Sequence, residues 1–325
     1  MDERTRLHAV QRFGLGPTPQ WHTTVGADAR GYVLAQLENP TAALIDDEAL
    51  PPTHEVLQWE MRKGRERRRL RREGGVSDEM IKTLRPGPLR RRIYLEEVQA
   101  RIRHGRDTSA PLLERLVMFW SNHFAISTRK GQVRGIAGAF EREAIRPHVL
   151  GRFADMLRAV EQHPAMLIYL ENRASAGANS RVGQRRKRGL NENLAREILE
   201  LHTVTEASGY GQADVTALAN LITGWTIARD RAGVDRGGRF QFNPRMHASG
   251  AFEVLGKTYR SGSERAGEAV LDDLARHPNT AEHLARKLVS HFVGGNAAPE
   301  LVARLAKTFA DTDGDLAAIT RALVE

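Results

Sequence analysis

The chain of 325 residues contains no cysteine. This absence excludes disulfide bonds, thiolate nucleophiles, cysteine-ligated zinc and iron–sulfur clusters, and it is compatible with either redox compartment. Long apolar runs are also absent: "LVMFW" (116–120) is far shorter than a bilayer span. The N-terminus "MDERTRLHAVQRF" is charged and lacks the apolar stretch of a signal peptide. We therefore expect a cytoplasmic protein by default, with co-translocation beside a signal-bearing partner as the alternative.

The common enzyme signatures are missing as well. The "LGKTY" stretch (255–259) contains Gly-Lys-Thr, but position 251 is Ala where a phosphate-binding loop needs Gly. In "GLGPTP" (14–19), Pro19 occupies the third glycine position of a dinucleotide-binding fingerprint. There is no H-E-x-x-H, G-x-S-x-G or EF-hand pattern. Any chemistry must therefore be sought in the placement of polar residues.

The net charge of +9 comes from one segment. Residues 62–92 hold 13 Lys/Arg and 4 Asp/Glu, and the rest of the chain holds 36 of each. We predict a basic, Arg-rich helical projection over about 54–92, either a footprint for phosphate or an acidic partner, or simply a solvated helix. Nucleic-acid binding is the least favoured interpretation, because no set of aromatic residues for base stacking accompanies the arginines. The centre of this patch is formed by Arg67, Arg68, Arg69, Arg71 and Arg72.

The apolar periodicity is helical nearly throughout. It predicts a mainly α, multi-helical globular domain, as one body or as two lobes, with helices over about 54–73, 110–126, 192–204 and 299–310 among others. Strand signals are confined to 239–256, where at most one small β-hairpin is expected. Two polar segments, 172–190 and 228–239, read as mobile surface loops.

The segment "LNENLAREILELHT" (190–203) separates into two sets of polar residues at 100° per residue. Its charged residues on the polar face can form i,i+4 salt bridges there. Asn191 and His202 fall inside the apolar sector, with Glu197 at its margin. A buried imidazole or carboxamide without a partner costs about 1–3 kcal/mol, so each of these needs a partner.

A second helix, "LLERLVMFWSNHFAIS" (112–127), gives a similar result. His123 falls among its apolar residues, whereas Asn122 and Glu114 do not. Two buried histidines and the Glu197 carboxylate form the minimal ligand set of many divalent-metal sites. They could equally form an acid–base set, or each histidine could merely donate to a backbone carbonyl. His163, before Pro164, and His247, on a loop, are weaker candidates.

Seven ordered blocks together resemble a known family. They include "RFGLGPTP" (12–19), "LVMFWSNHFAIS" (116–127), "HPAMLIYLEN" (163–172), "LNENLAREILELHT" (190–203), "GYGQADVTALANLITGWT" (209–226), "HASGAFEVLGKTY" (247–259) and "LARKLVSHFV" (284–293). Their content and order resemble the bacterial domain-of-unknown-function 1800 family over essentially the whole chain. The resemblance implies a possible partner, a sulfatase-like exported protein encoded nearby, and no established activity.

Two positions depart from the family pattern. The family usually has Asp where this chain has Ala248, and often His where this chain has Ser121. If those residues are ligands in the family, metal binding or catalysis differs in this member. The polar residues retained in these blocks are Asn122, His123, Asn191, Asn193, Glu197 and His202.

The leading hypothesis is an enzyme, a metal-dependent hydrolase or an oxidoreductase. In it His123, Glu197 and His202 hold a divalent metal or act as an acid–base set with Asn191, and His247 arrives from its loop. The alternative is a non-enzymatic accessory protein for the exported partner.

Overall fold

A computed structural model describes residues 3–74, 77–186, 189–229, 236–295 and 298–325. The prediction of a mainly helical fold is confirmed. The α-helices are α1 Glu3–Arg12, α2 Trp21–Val25, α3 Ala29–Ala35, α4 Thr53–Glu73, α5 Asp78–Thr83, α6 Gly87–Asp107, α7 Pro111–His123, α8 Gly131–Arg134, α9 Ala137–Phe140, α10 Phe153–Glu161, α11 Pro164–Tyr169, α12 Arg181–Arg186, α13 Asn193–Glu197, α14 Gln212–Leu221, α15 Glu264–Ala275, α16 Pro278–Val293, α17 Pro299–Asp311 and α18 Leu316–Val324. None of these described helices is both long and apolar enough to cross a membrane.

Shorter helical turns connect them. The 3-10 turns are Gln36–Glu38, Pro40–Ala43, Arg146–His148, Asn172–Ala174 and Glu206–Ser208. Two π-helices, Glu141–Ile145 and Ile198–His202, continue α9 and α13 directly.

Two small antiparallel sheets replace the single hairpin expected near 239–256. Strand β1 (Trp225–Ile227) pairs with β2 (Phe240–Phe242), and β3 (Ala251–Val254) pairs with β4 (Lys257–Arg260). The turn between β3 and β4 is Leu255–Gly256, and both residues have positive φ, as a type I′ turn requires. The Gly-Lys-Thr triplet therefore belongs to a hairpin, which agrees with its rejection as a phosphate loop.

One connected apolar core runs from Ala9 near the N-terminus to Leu323 near the C-terminus. Helix α7 lies deep within it, with Leu112, Leu113 and Val117 fully buried. The terminal parts of the chain also meet, since Arg12 Nη1 donates to the carbonyl of Val293 at 2.8 Å and Arg321 pairs with Glu38. Helix α7 exposes one narrow stripe that contains Met118 and Asn122, and its other residues are buried or half-buried.

Glu114 shows the consequence. The periodicity placed it off the buried face, but it is 1% exposed. Its carboxylate binds both terminal nitrogens of the fully buried Arg146, at 2.6 and 3.0 Å, and Arg146 also binds Glu141 at 2.9 Å. The prediction was wrong because the opposite side of α7 packs against protein that supplies a cation.

The segment 172–190 is not a surface loop throughout. It contains the 3-10 turn Asn172–Ala174 and α12, and Ala176, Gly177 and Ser180 are buried. A Cβ at Gly177 would lie 2.5 Å from that of Ala248, so only glycine allows this approach. Of the other predicted loop, 228–239, residues 230–235 lie outside the described residues, and its flanks pair through the Ala228 and Arg239 backbones. The mobility of both segments stays a prediction.

The Arg-rich projection begins as a core helix. Val56 and Leu57 of α4 are buried, and Arg90 of α6 binds Glu60 with both arms of its guanidinium at 2.5 and 2.6 Å. Beyond Gly64 the arginines face outward, and those of the predicted patch are exposed or half-exposed. What the patch binds stays a prediction.

The Arg146 cluster gives a stability prediction. Glu114→Gln leaves a buried guanidinium with one fewer carboxylate, and we expect a loss of about 3 kcal/mol in the free energy of unfolding, measured with urea. The matched change Glu282→Gln, in the exposed Arg286–Glu282 pair, should cost less than about 1 kcal/mol. Equal losses in the two variants would show that the buried cluster does not carry this stability.

Candidate functional site: a basic cluster around His123

Four elements meet at His123 and His202. His123 ends α7 and faces the π-helix Ile198–His202 and one side of α16, and the end of α10 contacts His202. A π-helix turns more slowly than an α-helix, so the rotation of 100° per residue assumed from the sequence fails along it. Leu201, which that rotation places in the buried sector, is 47% exposed, whereas His202 is buried.

Both ring nitrogens of His123 are engaged. Nε2 donates to the carbonyl oxygen of His202 at 3.2 Å, which leaves Nδ1 as the acceptor from Lys287 Nζ at 2.8 Å. Burial lowers the pKa of His123 well below 6.5, and the neighbouring charges of Lys287, His202 and His283 lower it further. The imidazole is therefore neutral at physiological pH.

Lys287 and His283 form the outer part of the cluster. They lie four residues apart on α16 and are both partly exposed. The ring centroids of His283 and His123 are 5.9 Å apart, and His283 Nε2 donates to the carbonyl of Leu201 at 3.2 Å. Burial lowers the pKa of the Lys287 amine and is the main cause of a lowered pKa of His283.

His202 forms the inner part with Glu161. His202 Nδ1 lies 2.7 Å from Glu161 Oε1, and the two side chains are almost completely buried. The second carboxylate oxygen of Glu161 is buried and has no hydrogen-bond partner among the described residues. This pair holds the side chain of His202 in place. The backbone carbonyl of the same residue accepts the hydrogen bond from His123.

Aromatic rings enclose the two histidines. Trp120 and Phe124 approach the ring of His123 edge-on, with centroids at 5.5 and 4.5 Å, and Phe124 also approaches His202 at 5.0 Å. Such packing restricts both rings to one orientation and excludes water from the inner side.

The predicted partners on the 190–203 segment lie elsewhere. Asn191 precedes the helix; its side chain donates to the carbonyl of Leu170 at 3.1 Å and accepts from the amide of Asn193 at 2.9 Å. Asn193 and Asn122 are exposed, and Glu197 is half-buried. Of the catalytic set predicted from the sequence, the structure brings together His123 and His202.

His247 belongs to a different region. Its Nδ1 donates to the carbonyl of Thr223 at 2.8 Å, and its Nε2 accepts from the amide of Gly262 at 3.2 Å. Ala248 is also buried, with its amide donating to Thr223 Oγ1. His247 thus ties the segment that follows β2 to the end of α14.

His163 and Ser121 join other polar contacts. His163 Nδ1 accepts from the Ala165 amide and its Nε2 donates to Glu143 at 3.0 Å. Ser121 donates to Glu141, a member of the Arg146 cluster. These positions have structural partners of their own.

The residues do not fit the expected metal. Among the residues that the structure describes, no group of three or more His, Asp or Glu side chains is arranged to hold an ion. Both nitrogens of His123 and both of His247 already have hydrogen-bond partners. We therefore derive no chemistry through a metal.

Sequence reasoning missed three members of the cluster: Glu161, His283 and Lys287. The i,i+4 spacing of His283 and Lys287 on one helix was a usable signal. Glu161 carried none, because a glutamate at a helix end is usually solvated and only the tertiary fold buries it.

The lowered pKa of His123 predicts a pH dependence of stability. Below about pH 6.5 the unfolded chain binds a proton that folded His123 does not, so the free energy of unfolding falls as pH falls. Urea unfolding at about pH 7.5 and 5.5 should show this decrease, and His123→Gln, which can keep both hydrogen bonds, should make it smaller. The same change at the exposed His22 is the control, and an identical slope in the two variants would contradict the prediction.

Comparison with known proteins gives one result. No curated protein and no solved structure matches the chain. The model of the family described as "Protein of unknown function (DUF1800)" matches residues 8–325. The resemblance noted in the sequence is confirmed: the chain belongs to the DUF1800 family over essentially its whole length.

Proposed function

We propose that the protein is an enzyme in which the Lys287 amine and the His123 imidazole form an acid–base pair. Lys287, with His283 beside it, is the group that meets the substrate, because these are the partly exposed members of the cluster. His123 is its proton partner, since its Nδ1 lone pair faces the amine at 2.8 Å.

The observation that carries the proposal is the kind of group that contacts the Lys287 amine. A half-buried lysine with a structural role normally pairs with a carboxylate. Here the amine contacts a histidine, and no carboxylate in the described part of the chain contributes to its pKa. Placing basic groups together in a desolvated position opposes folding, and such arrangements concentrate at functional sites.

The surrounding groups support this division of roles. The His202 carbonyl holds the proton of His123 on Nε2, which keeps Nδ1 free to accept from the amine. The Glu161–His202 pair and the aromatic rings keep that carbonyl and the imidazole in place. Lowering the pKa of the amine increases its neutral, nucleophilic fraction near pH 7.

Other expectations from the sequence remain open. An accessory role beside a sulfatase-like exported protein, the compartment, and nucleic-acid binding through the Arg-rich patch stay predictions. No contact of the described residues favours them over the acid–base pair.

An activated ester tests the amine. With p-nitrophenyl acetate, the neutral Lys287 amine attacks the ester carbonyl, the ester C–O bond breaks, p-nitrophenolate leaves, and the amine proton passes to His123 Nδ1 or water. Because burial lowers the pKa of the Lys287 amine and leaves more of it neutral, we expect Lys287 to be acetylated faster than an exposed lysine near pH 7.5. Release of p-nitrophenolate and peptide mass spectrometry measure this.

The matched variants are Lys287→Arg, which keeps the charge, and Lys307→Arg at an exposed lysine paired with Asp311. Loss of the fast phase in the first variant alone supports the proposal. Acetylation of Lys287 no faster than that of Lys307, or a fast phase that survives Lys287→Arg, refutes it.

A further inference from the structure

A second concave region lies apart from the His123 cluster. It is a cleft of about 710 Å³ between the α12 region and the β1–β2 sheet with the segment that follows β2. Its charged lining is of one sign. The arginines that line it are Arg173, Arg181, Arg185, Arg229, Arg236 and Arg245, and no carboxylate is among the described residues of the lining.

This distribution differs from that of the other basic surface of the protein. On α4 two glutamates lie among the arginines: Glu66 pairs with Lys63 and Glu73 pairs with Arg69 along the helix. In the cleft, Arg173 binds the neutral side chain of Gln132 at 2.7 Å. Guanidinium groups that share a concavity repel each other, and a bound anion relieves that repulsion.

The two sides of the cleft are joined by backbone contacts. The amide of Gly177 donates to the carbonyl of Met246 at 3.0 Å, and the amide of Val182 donates to the carbonyl of Arg245 at 2.9 Å. The close approach of Gly177 to Ala248 lies beside them. The arginines of α12 and of the segment after β2 are therefore held opposite each other before any ligand arrives.

The neutral side chains of the lining also include hydrogen-bond donors that an oxyanion can accept from. Gln241 and Asn243 add side-chain amide groups to the same lining. Guanidinium groups bind phosphate and sulfate through paired N–H donors, and a cleft of this size admits several such groups. We propose that this cleft binds a small ligand that carries several phosphate or sulfate groups.

A single-stranded nucleic acid fits the lining less well. Phe242 is the sole aromatic residue among the described lining residues, it is half-buried, and it packs edge-on against His247 at 5.0 Å. Sequence-independent strand binding usually needs several exposed rings on which bases stack. The geometry therefore favours a compact polyanion over a strand.

Titration calorimetry at about 150 mM salt tests the proposal with two probes, sodium tripolyphosphate and a heparin-derived sulfated hexasaccharide. We expect one of them to bind with one-to-one stoichiometry, and the better probe identifies phosphate or sulfate as the source. Arg181→Gln with Arg245→Gln removes one arginine from each side, and binding should weaken at least about tenfold because charge-assisted hydrogen bonds are lost.

The control is Arg68→Gln with Arg72→Gln on α4, which changes the net charge equally and should alter binding less than about twofold. If the first double variant is unstable, Arg185→Gln with Arg236→Gln makes the same test. The proposal fails if neither probe binds, if both double variants weaken binding equally, or if an oligothymidine of about 20 nucleotides binds better than both probes. None of these outcomes bears on Lys287, so failure here leaves the proposed function untouched.

Discussion

The burial of α7 on all sides except one narrow stripe is the constraint on which the polar interior depends. A buried polar group without a partner is unfavourable, so each buried polar residue of this helix requires a specific partner from another part of the chain. Glu114 forms an ion pair with Arg146, and Ser121 donates a hydrogen bond to Glu141. His123 is hydrogen-bonded to the His202 carbonyl and to Lys287. Two nitrogen atoms of α7 are exceptions: the indole nitrogen of Trp120 and Nε of Arg115 have no partner among the described residues.

Two π-helices supply part of this set of partners. Glu141 begins one of them, and His202 ends the other. Each extends a short α-helix by a wider turn, which changes the direction of the following side chains relative to the preceding ones. The Arg146 cluster and the His123 cluster both contact α7. In each of them, a π-helix supplies one of the residues that contact this helix. One is made of opposite charges and stabilises the fold; the other gathers basic groups.

Much of the helical fold could be predicted from the sequence because most helices carry their apolar residues on one face, at helical spacing. The predicted helices over 54–73 and 299–310 are found at Thr53–Glu73 and Pro299–Asp311. The neighbourhood of His123 and His202 followed from the same periodicity. Glu114 lies off the apolar stripe and is buried because Arg146 supplies a counter-charge, which periodicity does not record. Leu201 is exposed because the π-helix departs from the α-helical rotation. The places of Lys287 and Glu161 in the cluster depend on which helices pack together. A single sequence does not show that packing directly.

The contact between Gly177 and Ala248 couples two positions that are far apart in the chain. The space between them admits hydrogen on one side and methyl on the other. A side chain larger than hydrogen at position 177 would collide with the backbone of Ala248, whose Cα and N would lie 2.6 and 2.9 Å from the added Cβ. Glycine at position 177 therefore sets how closely the 172–190 segment can lie to the segment that follows β2.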